Sequence, residues 1–103
     1  VIPVREEIRV LLEKAKKAKT EEERRDAEQQ IVDKSCECAR KVADLCVYIA
    51  EIYAFAEIAW QAKNYTLAAD ALAKVVELEK ELEKAYEEDK EWTKAFWEIM
   101  RKV

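Results

Sequence analysis

The chain has 103 residues, half of them apolar and 41% charged, with 23 acids against 19 bases for a net charge of −4. That mixture excludes a disordered tail, and the interspersed signs exclude the basic footprint of a nucleic-acid binder. With no glycine and one proline, the sequence lacks the residues that supply positive φ angles to hairpins and phosphate cradles, which excludes β-rich and Rossmann-like folds.

One all-α domain over 1–103 is expected, a long antiparallel helical hairpin plus a short N-terminal helix forming a three-helix bundle, with helices at about 3–18, 21–62 and 66–102. The first helix opens with Pro3, Glu6 and Glu7 and ends in Lys14, Lys16, Lys17 and Lys19, an order that suits the helix macrodipole. Val4, Ile8, Leu11, Leu12 and Ala15 recur every three or four residues and make one apolar stripe. Thr20 with Glu23 three positions later is a capping box that starts the second helix. The connection is so short that the two helices must fold back on each other.

The second helix carries a stripe of Ile31, Ser35, Cys38, Val42, Leu45, Ile49, Ile52, Ala56 and Ala59, and no strong breaker falls between Glu21 and Ala62. Asp33 and Ser35 are the soft spot where a kink would fall. In the turn 63–66, Asn64 is expected to take the left-handed conformation and Thr66 to cap the third helix. That helix carries Ala68, Ala71, Val75, Leu78, Leu82, Ala85, Asp89, Trp92, Phe96, Ile99 and Val103, an apolar series broken only by Asp89. Matching stripes predict coiled-coil-like packing of the second and third helices.

The apolar stretch 45–62 includes Glu51, Glu57 and Gln61, so a buried or interfacial helix is expected rather than a bilayer span. No basic–apolar–small pattern opens the sequence, which predicts no signal peptide and a soluble chain, and free thiols suit a reducing cytoplasm.

Capping box, charge-complemented helix ends, the Glu/Lys-rich face from Glu77 to Lys84 and economical loops together resemble a de novo designed helical bundle. The resemblance covers 1–34 and 67–94 and implies an idealised scaffold. The three cysteines and the aromatic-rich middle of the second helix depart from it, which implies that this region was chosen for something other than ideal folding.

Two antiparallel helices hide only their shared seam. The second helix has a further stripe of Val32, Cys36, Ala43, Val47, Ala54 and Ile58, flanked by Tyr48 and Phe55. The third has Tyr65, Ala69, Leu72 and Val76 near the loop and Tyr86, Thr93, Trp97 and Met100 near its end. Ile8, Leu11 and Leu12 are expected to cover Val32, Trp97 and Met100 at one end of the hairpin. At the loop end Val47, Tyr48, Ala54, Phe55, Ile58, Ala69, Leu72 and Val76 are expected to form an exposed protein-binding groove.

No catalytic residue, metal site or cofactor is expected. Cys36 and Cys38 point about 200° apart on a helix, and Cys38 and Cys46 lie about 12 Å apart along it, so neither pair grips one ion or closes a disulfide. Cys38 and Cys46 are read as small buried hydrophobes, and Cys36, on the second stripe, as a bystander with an intermolecular role as its alternative. Glu51 and Glu57 diverge by about 120° and lack a nucleophile or histidine beside them, so they are read as solvated edge charges. Asp89 either pairs with a base on a neighbouring helix or marks loosened packing. Tyr53, Trp60, Trp92 and Trp97 are read as core, and Tyr48 and Phe55 as anchors for a partner. The expected function is a non-enzymatic scaffold that binds a protein or helical peptide, the alternative being a homodimer that buries the groove against its own copy; neither nucleic acid nor membrane is an expected partner.

Overall fold

The computed structural model describes residues 3–101, of which three helices make up 92%: α1 (Val4–Lys16), α2 (Glu21–Gln61) and α3 (Tyr65–Arg101). No strand occurs among the described residues. The architecture is an all-α three-helix bundle in which α2 and α3 pack on each other beside the shorter α1.

Local chemistry fixes where each helix begins and ends. Pro3 occupies the N-cap of α1 rather than its first turn, with φ −57° and ψ 144°, and its carbonyl accepts from Glu7 N–H at 3.0 Å. Thr20 caps α2: its Oγ1 accepts from Glu23 N–H at 3.1 Å, while the Glu23 carboxylate reaches back to Lys19 N–H at 3.2 Å. The reciprocal half of the box thus lands one residue before the cap and ties down the connection itself. Helix α2 is unbroken through Asp33 and Ser35.

The turn between α2 and α3 departs from expectation. Lys63, not Asn64, takes the left-handed conformation, at φ 62°. Asn64 N–H donates to Ala59 O at 2.8 Å and Lys63 N–H to Trp60 O at 2.9 Å, the paired bonds of a Schellman motif. Asn64 is free to do something a lysine cannot. Its Oδ1 accepts from Leu67 N–H at 3.2 Å, so Asn64 caps α3 in place of Thr66.

Every described residue of the two long stripes is buried or half-buried; Val103, the last of them, lies outside the described residues. The chain divides into two compact units. In the first, α1 packs with α2 up to Ala39 and α3 from Tyr86, around Ile8, Leu11, Ile31, Trp92, Ala95 and Ile99. Val4, Leu12, Val32, Cys38 and Phe96 pack against that core. The ion pairs Arg5–Glu91 and Lys34–Glu7 at its edge are exposed and contribute roughly 0–1 kcal/mol each.

Trp97 and Met100 are not covered by α1; they remain 61% and 57% exposed. Helix α1 lies along the other flank of α3, where Pro3, Val4 and Arg5 line a cleft with Glu87, Glu88 and Glu91, and Arg9 and Leu12 another with Glu98. Glu91 and Glu98 are turned about 100° and 120° one way from Trp92, Trp97 and Met100 about 140° and 80° the other.

The second unit, Arg40–Ala85, is a two-helix hairpin. Its core is Ile49, Val75 and Leu78, with Leu45, Ile52 and Leu82 packed against them. Towards the loop the seam narrows to four buried alanines, Ala56, Ala59, Ala68 and Ala71. A buried methyl contributes about 0.8 kcal/mol against about 1.5–3 kcal/mol for a larger aliphatic side chain, so this part is held weakly by its own chain.

Candidate groove on the two-helix unit

An alanine seam lets two helices approach closely and leaves larger neighbours standing proud of it. Beside Ala56 and Ala68 the result is a groove of about 500 Å³, lined also by Tyr53, Ala54, Glu57, Trp60 and Leu72. Ala56 and Ala68 are buried and form its floor, while Tyr53, Trp60 and Leu72 are 49%, 64% and 43% exposed and form its walls. Glu57 is the one charged side chain lining it. A second groove, of about 420 Å³ on the first unit, is bordered by Glu21, Arg24, Arg25 and Glu28, so charges of both signs line it.

The eight residues expected to bind a partner are all exposed, but they do not share one surface. Only Ala54 and Leu72 line the groove. With buried Ile49 as the inward direction and 100° per residue, Tyr53 and Ala54 fall on one flank of α2, and Tyr48 and Phe55 on the opposite flank. Val47 and Ile58 project from the back. On α3, Val76 lies about 40° from Leu72 and extends the groove side, with Ala69 about 60° from Leu72.

The walls supplied by Tyr53 and Trp60 were not legible as such, because aromatics at helical spacing are usually core. Trp92 fits that reading at 2% exposure, and Tyr53, Trp60 and Trp97 do not. A signal did exist: Tyr53 and Trp60 are one heptad apart and flank Ala56, so they edge the seam together where it is smallest.

Exposed apolar side chains concentrate in this unit. Ten large hydrophobics, Val47, Tyr48, Tyr53, Phe55, Ile58, Trp60, Tyr65, Leu67, Leu72 and Val76, are exposed here, against four among the described residues of the first unit. Residues 42–61 of α2 carry only three charges, Asp44, Glu51 and Glu57. A helix apolar on nearly every side is the pattern of one enclosed by its surroundings.

The cysteines divide differently from expectation. Cys36 and Cys46 are exposed and Cys38 is half-buried, so Cys46 is not core. Burial pushes the Cys38 thiol up from its ordinary pKa, with Glu88, Asp89 and Glu37 adding in the same direction against Lys34. Asp89, on the same seam, has its Oδ1 buried without a hydrogen-bond partner. Among the described residues no three His, Cys, Asp or Glu side chains gather as a metal site, and no helix is long and apolar enough to cross a membrane. No protein-family model, curated protein or solved structure matches the chain.

Proposed function

We propose that this chain is a designed, non-enzymatic helical scaffold whose two-helix unit binds a protein or helical peptide. The observation that carries the reading is the groove of about 500 Å³ between Tyr53, Trp60 and Leu72, floored by alanine. Its apolar walls suit helix-in-groove recognition, in which a partner helix lays an apolar stripe along the cleft. Trp60 and Tyr53 are the residue types that most often dominate such interfaces. Design accounts for the absence of glycine, for a glutamate placed to complete the Thr20 cap and for connections of a few residues.

A second reading is favoured by the hairpin itself. Two copies burying their exposed faces against each other would complete a four-helix core with no external ligand. Light scattering across a concentration series separates the two, because only the second requires self-association of the chain alone.

The groove is tested by Leu72→Glu. Leu72 projects from the seam, so the isolated variant should keep its thermal stability while losing its partner or its dimer, since a carboxylate would enter an apolar interface unpaired. Ile49→Ala, in the core of the same unit, should instead lower stability by about 2–5 kcal/mol. Unfolding of Leu72→Glu, or its indifference in both assays, would overturn the placement of the surface.

A further inference from the structure

The charges beside the groove are mostly acidic. Glu57 lines it directly. On α3 the groove-side row through Leu72 and Val76 continues into Glu79 and Glu83, seven and eleven residues beyond Leu72 and within about 20° of it around the helix. Both glutamates are exposed. One base borders this row: Lys80 is turned about 80° from Leu72 and about 60° from Glu83, whereas Lys74 is turned about 160° from Leu72 and pairs with Glu77 at 3.9 Å. On α2 no base occurs between Lys41 and Lys63. The surface is therefore an apolar trough that opens onto three carboxylates, with Lys80 the one base bordering the α3 row.

We propose that the groove's occupant is an amphipathic helix whose apolar stripe is bordered by lysine or arginine. This rests on the reading of the groove as a helix-binding site and specifies the partner's chemistry. The partner's apolar side chains would sit over Ala56 and Ala68 between Trp60 and Leu72, and its flanking bases would meet Glu57 at one edge and Glu79 and Glu83 along the other. Complementary charge of this kind raises the association rate and rejects wrong partners more than it adds raw affinity. It also weighs against a second copy as the occupant. Two grooves facing each other about a twofold axis parallel to the helices would bring Glu57, Glu79 and Glu83 against their own kind, and like-charge juxtaposition is costly.

Two synthetic helical peptides with the same leucine–alanine stripe, one bordered by lysines and one by glutamates, test this against the full chain by calorimetry in low and high salt. The lysine-bordered peptide should bind about tenfold or more tightly than the other, lose that advantage as salt shortens the screening length, and lose it again against the triple variant Glu57→Gln, Glu79→Gln, Glu83→Gln. Equal, salt-insensitive binding of both peptides would overturn the charge assignment and leave the groove as a helix site. Absence of binding by a chain that sediments as a dimer would overturn it in favour of the second copy. Absence of binding by a monomeric chain would overturn both this inference and the groove reading beneath it.

Discussion

Asp89 occupies an inward position of α3 that its neighbours Ala85, Trp92 and Phe96 fill with carbon. One of its carboxylate oxygens is buried without a partner. An unsatisfied buried polar atom costs roughly 1–3 kcal/mol, and aspartate is in addition a poorer helix former than leucine by a few tenths of a kcal/mol. Asp89→Leu removes both costs and buries more apolar surface, offset in part by the larger side chain having to fit a half-buried site. The net expectation is a stabilisation of about 2 kcal/mol. For a domain of this size that corresponds to a rise in Tm of about 8–16 °C, read by thermal circular dichroism and checked by urea unfolding at unchanged slope. Asp89→Ala serves as a control, because it removes the carboxylate without adding volume and should at least hold stability level. Loss of stability in both variants would refute the reasoning, since it would mean that the carboxylate is satisfied by a base or a bound water and holds the seam together.

Three further outcomes follow from local geometry. Lys63→Gly should stabilise the hairpin by about 1 kcal/mol in the same assays, because a side chain in the left-handed region carries a steric cost that glycine escapes, offset by glycine's freer unfolded chain; unchanged or lower stability would mean that the turn is not the Schellman motif described. Thr20→Ala should cost about 1 kcal/mol through loss of the bond to Glu23 N–H, and an unaffected Tm would remove Thr20 as the cap. Of the three thiols, Cys36 and Cys46 should react readily with an aromatic disulfide while Cys38 lags until the chain unfolds, as its burial and raised pKa both lower the accessible thiolate; three equal rates would contradict the packing of Cys38.

The fold was legible because its stripes keep step without a slip. From Ile31 to Ala59 and from Ala68 to Ile99, each position named as inward is buried or half-buried. Periodicity gives the inward direction of a helix but not which side of a hairpin a third helix takes. A bundle of three has two hands, and the short stripe of α1 suits both, so the stripes alone allow Trp97 and Met100 on the covered flank, whereas α1 packs along Glu91 and Glu98. The same limit blurred the groove. Where α2 is apolar on nearly every side, Tyr48 and Phe55 are indistinguishable by type from Tyr53 and Trp60, and only the alanine seam decides which pair edges a cleft. Lys63 was missed because a chain without glycine must place an ordinary residue in the left-handed region, and Asn64 has the stronger preference for it. The hydrogen bond from Leu67 N–H shows why Asn64 is used one step later.

Trp60 and Trp97 are comparably exposed, at 64% and 61%, but only Trp60 lines the groove, whereas Trp97 lies on the first unit beneath Arg101, 4.8 Å from its ring centroid. Their indole N–H resonances, assigned with Trp60→Phe and Trp97→Phe, report on the two surfaces separately in one titration with the lysine-bordered helical peptide. Binding in the groove should move the Trp60 resonance to saturation at one equivalent and leave that of Trp97 in place. A titration that moves Trp97 and spares Trp60 would contradict the assignment of the groove as the binding site.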